Sequence, residues 1–501
     1  MPRVAIVGAG AAGVFTAYRL REMYGDGYDI ELFEANGRVG GNTYTTHVEY
    51  GGTEYSIDCG AQFFSRNPQP SYTQLIEDLG LFEQDGQVEI IEAPAGFLVW
   101  DAVRGERRFW LPSRIVEFLQ YDLADAARLV HFTEFILAAT KLDRESSDWT
   151  QSVDEWFATL SIPSDFKEDV LKPFLYQFVS LPYARIGEAS ALYAITYFVR
   201  NLWGEPGAPH VDVNPPDLPG LPTFQTYQSL IGLDGILKRA LAVAGVTPRL
   251  SSGVVSMSRI GAQYELTISD GSRVTVDHVV FGCDPHSAAA ILESGAKPPG
   301  SSMATFLPLV DSLRALEYIQ LDIEMQKDAP TWMPPDPKSW EPVTQVVHGQ
   351  DIVFNAWFGP LRPRYDGKQI PVFKSWGAPN LSKSTDTFLE HQHFIPLPTT
   401  TFMEHRAEVA KYQGALGVWF VGGWTRWFDS QEAALDSATL VADAMPGVPK
   451  VGTGRARMVP VDHDRIERNV RSWVGRVNRR AEAKLGADFR KLVEDAKKKN
   501  P

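Results

Sequence analysis

An α/β fold built on a parallel, nucleotide-binding sheet is predicted for this 501-residue chain by three stretches of its sequence. The first, VAIVGAGAAGVFTAY at residues 4–18, passes from a β-branched run through glycines spaced G-x-G-x-x-G into an apolar helical pattern. The second, residues 30–33, is a short apolar strand ending in Glu34, about 20 residues past the last of those glycines. The third, GVWFVGGWTRWFDSQEAALDSATLVADAM at residues 417–445, repeats the order of buried strand, glycine turn and small-residue helix near the far end.

Each part of the first unit has a physical reason. Gly8 permits a tight turn, Gly10 lets backbone approach a pyrophosphate, and Gly13 lets helix and strand pack closely, with Ala12 in the helix's first turn. The helix start then offers free N–H groups and a positive dipole end to the phosphates. Glu34 stands where an acid binds the two ribose hydroxyls of an adenosine, and its charge disfavours a 2′-phosphate. NADPH is therefore not expected in this site. These residues alone leave open whether a nicotinamide coenzyme or a flavin supplies the phosphate.

Composition narrows the class. The chain is 44% hydrophobic and 22% charged, enough for two packed domains. No apolar stretch reaches the roughly 18 residues of a membrane span, and a strand starting at Val4 leaves no room for a cleavable leader, so a cytoplasmic location is the expectation. Only Cys59 and Cys283 are present, which rules out a disulfide framework and favours two buried thiols. A net charge of −14 argues against a nucleic-acid partner. Residues 451–501 reverse the sign, with 14 Lys and Arg against 7 Asp and Glu.

After Glu34 comes ANGRVGGNTYT (35–45), carrying Ala35, Arg38, Gly40, Gly41 and Asn42, and then SIDCGAQFF (56–64), carrying Gly60, Ala61 and Gln62. Here the chain resembles the flavin-containing amine oxidase superfamily, whose relatives include protoporphyrinogen oxidases, phytoene desaturases and polyunsaturated fatty acid isomerases. The resemblance implies FAD as the cofactor, with Arg38 and the Gly40-Gly41 doublet along its diphosphate and ribityl chain. Asn42 stands where many members have a second arginine. It also implies that the turn at Gly422 and Gly423 and the helix entered at Glu432 and Ala433 face the flavin, although Ala433 and Ala438 replace family glycines. The stretch 251–285 reads as three short strands with a turn at Asp270-Gly271. In the family this meander closes over the adenine, here through the backbone of Val254, with Val255 one register away. Members that tether FAD place a cysteine at the C-terminal flavin turn, where this chain has none, so non-covalent FAD is expected.

The expected architecture is thus a glutathione-reductase-like Rossmann FAD-binding domain, discontinuous over 1–67, 231–295 and 400–450. A mixed α+β substrate domain over 68–230 and 296–399 is inserted into it, and 451–501 forms a basic helical tail. That tail places apolar residues three or four apart from Ile466 to Leu492, an amphipathic helix or helix pair interrupted at Gly475 and Gly486. It is expected to pack on the acidic body; the sharper alternative is a peripheral membrane contact delivering a lipid-like substrate.

Candidate catalytic residues follow from position. Trp424 and Trp427, with Phe428, come directly after the last strand, where an aromatic ring would hold an apolar substrate against the flavin. Gln62, Phe63 and Phe64 follow the Cys59-Gly60 turn by the same logic. Amine oxidases of the family carry a lysine on a strand after the adenine meander. The matching YIQLDI (318–323) has none, so Lys374 in VFKSW is the nearest replacement, with an ordinary surface lysine as the competing reading. His391 and His393 share a strand face; no acidic or cysteine cluster accompanies them, so no metal is expected and His393 is kept as an acid–base candidate.

No nucleophile elbow, P-loop or H-E-x-x-H appears, which removes hydrolase, kinase and zinc-peptidase chemistry. The expected activity is an FAD-dependent oxidase or dehydrogenase drawing a hydride from a largely apolar small organic substrate. The alternatives are a redox-neutral double-bond isomerase, an amine oxidase and, more distantly, a flavin-binding protein without turnover.

Overall fold

The computed structural model describes residues 1–50, 52–60, 64, 69–82, 88–93, 96–111, 122–201, 224–297, 301–359, 372–377, 386–452, 462–488 and 490–491. The chain forms two compact units. Unit 1 is Met1–Glu89, Tyr227–Ile319 and Thr401–Val459; unit 2 is Ile90–Thr226, Gln320–Thr400 and Pro460–Pro501. These limits differ from the expected ones: 68–89 and 296–319 fall in unit 1, and from residue 460 the tail is part of unit 2 rather than a separate piece.

Unit 1 is organised by a four-stranded sheet in the order Val418–Phe420, His278–Phe281, Arg3–Val7, Asp29–Phe33, with every pairing parallel. The central strand is buried on both faces, and Val4, Ala5 and Ile6 have no exposure at all. That is why it reads as a continuous apolar run rather than an alternating one. Helix Ala11–Tyr24 packs against helix Gln431–Ala444 through small residues, with Arg19 Nε donating to Thr439 Oγ1 (3.1 Å) and Tyr24 OH to the Ala442 carbonyl (2.8 Å). The expected meander is present as three antiparallel strands, Val254–Ile260, Gln263–Ile268 and Arg273–Val276, with Gly271 at φ +85° in the second turn.

Residues 69–82 join unit 1 through a shared core and a helix cap: Tyr72, Leu75, Ile76, Leu79 and Leu81 are buried in one cluster with Phe15, Leu20 and Ala438. Helix Pro70–Asp78 has no side-chain cap of its own, and Glu432 supplies one: its carboxylate accepts from the N–H of Ser71 (3.1 Å) and of Tyr72 (2.7 Å). An anion at a helix N-terminus is favourable, yet this one is only 4% exposed.

Unit 2 is built on a seven-stranded sheet ordered Thr387–Pro396, Tyr318–Gln326, Phe373–Trp376, Asp351–Trp357, Val343–His348, Phe97–Asp101, Glu106–Leu111. One face meets helices Leu123–Glu145 and Lys172–Val179 through aromatic pairs, Phe109 with Phe132 and Phe97 with Phe174. Asp122 and Asp125 form a capping box at the start of the first helix. In the tail, helix His463–Leu485 runs through Gly475 without the expected interruption and stops at Gly486. It packs on helix Leu123–Glu145, with His463 Nε2 2.7 Å from Asp143 Oδ2 and with Ile466 and Val470 buried. Among the described residues no helix is long and apolar enough to cross a membrane.

Burial raises the Glu432 carboxyl pKa to about 7, against the two N–H bonds that lower it. The folded state therefore holds this proton more tightly than the unfolded chain. The contribution is full below the ordinary glutamate pKa and is lost as pH rises through 7. Relative to wild type, Glu432→Gln should gain thermal stability between about pH 5 and about pH 8. A Tm difference that stays constant across that range, measured by calorimetry, would refute the buried-carboxyl account.

Candidate functional site

Because all four strands of the unit 1 sheet run parallel, Val7, Phe33, Phe281 and Phe420 stand at one carboxyl edge. Open α/β sheets bind ligands outside that edge. The chain leaves it at Gly8, Glu34, Gly282 and Val421, so residues far apart in sequence are brought together there.

The three fingerprint glycines are needed for different reasons. Gly8 has φ +101°, and a Cβ on it would lie 2.9 Å from the Cys283 nitrogen; a Cβ on Gly13 would lie 1.9 Å from the Gly8 oxygen. Packing alone demands both. Gly10 is different. Its φ of −70° and ψ of 179° suit any residue, and the nearest described atoms to a Cβ there, Gly40 O and Gly41 Cα, are 3.9 Å away. Nothing among the described residues requires glycine at position 10, whereas a ligand pressed against the backbone does. Helix Ala11–Tyr24 begins at this point without a side-chain cap. The N–H groups of Ala11, Ala12 and Gly13 thus have no intrahelical acceptor and suit a phosphate.

Glu34 is buried beside this loop. One carboxylate oxygen accepts from Ala9 N (2.8 Å), the other from the backbone and side-chain nitrogens of Asn36 (2.8 Å each). A carboxylate has about four acceptor positions, so capacity remains for a hydroxyl. Arg38 braces the next loop: its guanidinium donates to the carbonyls of Thr43 (3.0 Å) and Gly41 (2.6 Å) and lies over the Tyr44 ring. Gly40 N donates to Ala9 O at 2.9 Å, which seats the Gly40-Gly41 doublet against the fingerprint turn. Ala35, Gly41 and Asn42 are exposed. Residues 249–253 run beside 32–36, with Arg249 N on Leu32 O (2.7 Å) and Ser252 N on Glu34 O (2.7 Å), and so place Val254 close to Ala35. Val254 is buried and Val255 exposed.

At the last strand, Gly422 has φ +140° and donates its N–H to Ser437 Oγ (2.9 Å). A Cβ on it would meet Trp424 Cδ1 at 2.7 Å, so glycine lets the indole lie across the turn. Trp424 and Trp427 are both buried, and Trp424 Nε1 has no hydrogen-bond partner among the described residues. Ser430 caps helix Gln431–Ala444 through Ala433 N (3.2 Å), which leaves the first helical N–H groups without intrahelical acceptors. Gly423 lies against Asp429, which is exposed. Glu432 stands in this first turn, but both its oxygens are committed to helix Pro70–Asp78.

Other candidates are placed elsewhere. Gly60 follows strand Thr53–Asp58 in unit 1, while Ala61, Gln62 and Phe63 lie outside the described residues. Lys374 and His393 belong to unit 2. The surface reading of Lys374 is wrong: it is 3% exposed, on strand Phe373–Trp376, with Nζ 5.5 Å from the Trp376 ring centroid and 5.6 Å from that of Phe358. The lysine-free strand extends to Gln326, and its Met325 pairs with Lys374. His391 and His393 rings touch edge to face at 5.1 Å, and His393 is buried. Cys59 is buried, but Cys283 is only half-buried, against the expectation of two buried thiols; desolvation pushes the Cys283 thiol pKa up.

Sequence reasoning missed Gly282, where a Cβ would lie 3.0 Å from Gly13 Cα. The signal was the GC pair directly after a buried strand.

A family model described as flavin containing amine oxidoreductase matches residues 11–310. The chain belongs to this family. It is an FAD-dependent oxidoreductase. Among curated proteins it is 33% identical to achacin of Lissachatina fulica over 82 residues and 39% identical to coproporphyrinogen III oxidase of Mycobacterium tuberculosis over 79. Those matches cover 16% of this chain and 15% and 16% of the two relatives. Among solved structures, a fatty acid isomerase from P. acnes that produces CLA superposes with a TM-score of 0.57 at 12% identity, covering 89% of this chain and 99% of that one. Putrescine oxidase bound to putrescine superposes with a TM-score of 0.56 at 14% identity, covering 88% and 98%. Both share the fold.

The glycine geometry makes a paired prediction. Gly13→Ala should destabilise the protein by about 1–3 kcal/mol or prevent folding, since its Cβ has nowhere to go. Gly10→Ala should keep its stability within about 0.5 kcal/mol when FAD is removed, yet retain less FAD on gel filtration. Full FAD content in Gly10→Ala would move the pyrophosphate away from this turn.

Proposed function

We propose that unit 1 holds FAD non-covalently along the carboxyl edge of its parallel sheet, and that the enzyme removes a hydride from a largely apolar small organic substrate. When bound, FAD supplies the hydride acceptor. The protein's part is to bind, orient and exclude water. Gly8, Gly10 and Gly13 with the first helical N–H groups hold the pyrophosphate. Glu34 takes the ribose hydroxyls, Arg38 fixes the Gly40-Gly41 loop beside them, and the Val254 backbone meets the adenine. Gly422, Gly423 and the start of helix Gln431–Ala444 serve the flavin end.

The observation that carries the substrate class is the pair of buried indoles, Trp424 and Trp427, set directly after the last sheet strand, one of them locked by Gly422. Flat apolar walls select an apolar or aromatic face and keep water out. The relatives' names mention porphyrinogens, putrescine and a fatty acid, which share an organic carbon skeleton but no head group.

Replacing Trp424 or Trp427 by Ala should remove about 1–3 kcal/mol of transition-state binding, roughly 5- to 150-fold in kcat/KM, with FAD still bound. Wild-type turnover in both variants would withdraw them from the site. NADH and NADPH should not reduce the flavin, because the one nucleotide fingerprint is used by FAD; rapid anaerobic bleaching by either would overturn this reading. Anaerobic mixing with fatty acids, amines and porphyrinogens then separates the chemistries. Flavin bleaching that persists until an acceptor is added means oxidation, and product of unchanged mass without any acceptor means isomerisation.

A further inference from the structure

Gln345 lies in strand Val343–His348, in the middle of the seven-stranded sheet, with no exposure. Among the described residues neither its Oε1 nor its Nε2 has a hydrogen-bond partner. Directly paired residues share a sheet face. Gln345 is opposite Val99 on one side and Phe354 on the other, Val99 is opposite Phe109, and Phe354 is opposite Trp376. Since Phe109 packs on Phe132 at 4.8 Å, Gln345 stands on the face covered by helices.

That face is largely apolar around the amide, with Val99, Phe109, Phe354, Ala356 and Trp376 on it. Phe354 and Trp376 stack with centroids 3.7 Å apart and planes at 13°, making a flat wall beside the amide. Trp376 Nε1 is a second buried donor without a partner among the described residues, and Lys374, opposite Ala356, shares the face. An apolar residue of similar volume would suit such a layer better, because a buried amide that makes no hydrogen bond is a net loss to folding. A side chain that weakens the fold and is aimed into an apolar layer has the mark of a recognition group.

We propose that Gln345 is a specificity-determining residue that reads the polar head of an otherwise apolar ligand bound between the sheet and the helices of unit 2. A carboxamide presents a donor and an acceptor side by side. Its complement is a group with an acceptor and a donor side by side that stays neutral at pH 7, namely a primary carboxamide or a lactam. Trp376 Nε1 offers a further donor to an acceptor on the same ligand. The inference deepens the function proposed above by naming the head group, and it rests on unit 2 as the substrate side of that enzyme.

The test is calorimetric titration of the FAD-loaded protein with octanamide, methyl octanoate and octanoate. These share a tail and differ in offering a donor with an acceptor, an acceptor only, and an anion. Wild type should bind octanamide roughly tenfold more tightly than either of the others, the value of about one satisfied hydrogen bond. Gln345→Leu should abolish the preference, lowering octanamide affinity more than that of the ester so that the two bind alike. It should also raise the Tm of the ligand-free protein, because it removes two orphaned polar atoms. Gln345→Met serves the same comparison if the leucine variant does not fold. Equal affinity for the three probes, or octanamide binding unchanged in the variants, overturns the proposal. Tightest binding of octanoate overturns it in favour of an ion pair with Lys374. A lowered Tm in both variants overturns it in favour of a buried water satisfying the amide. Failure of FAD retention or of hydride transfer would instead sink the function proposed above and leave these isotherms standing.

Discussion

The contact between Gly13 and Gly8, reinforced by Gly282, fixes the geometry on which the cofactor site depends. A single Cβ at position 13 would fall 1.9 Å from the Gly8 oxygen, and one at position 282 would fall 3.0 Å from Gly13 Cα. Three backbone segments therefore meet with no side chains between them, and helix Ala11–Tyr24 is held end-on to the carboxyl edge of the sheet. Its uncapped N–H groups point where the strands stop. Gly10, free of any such packing demand, then becomes informative: the fold tolerates a side chain there, and the absence of one reflects what approaches from outside the protein.

Carboxylates in unit 1 show how similar chemistry is divided by environment. Glu34 is saturated on one oxygen by Asn36 and holds the fingerprint loop through Ala9, so the residue suited to ribose hydroxyls also orders the turn that would hold the phosphates. Glu432, in the helix assigned by resemblance to the flavin, spends both oxygens on another helix. Its near neighbour in sequence, Asp429, lies against Gly423 but is exposed. Burial thus leaves the Glu432 carboxyl only partly ionised at neutral pH, so the start of this helix is less negative than its sequence suggests.

Much of unit 1 was legible because its signals are local. Strand, glycine turn, helix and acid at fixed spacing state backbone geometry within about thirty residues, and the meander announced itself by alternation and by Asp270-Gly271. The unit limits were not legible, because what attaches residues 69–82 to unit 1 is a core shared with sequence-distant helices and a carboxylate more than 350 positions away. Gly475 was misread for a related reason: packing on helix Leu123–Glu145 outweighs the roughly 1 kcal/mol a mid-helix glycine costs. Lys374 looked like a surface residue because nothing in VFKSW reveals that it lies in the interior of a seven-stranded sheet.

Unit 2 explains why substrate chemistry resists a reading from sequence while cofactor chemistry does not. Its sheet joins strands from residues 97–111 with others from 318–396, and one antiparallel slip of a single residue would exchange its two faces. Gln345 faces the helices only because Val99, Phe354 and Phe109 hold that register. A cofactor common to a large family is met by backbone, whose demands are written as glycines. A substrate particular to one member is met by side chains whose neighbours are chosen by register across the whole sheet, and an amide left unsatisfied among aromatic rings becomes visible only once that register is known.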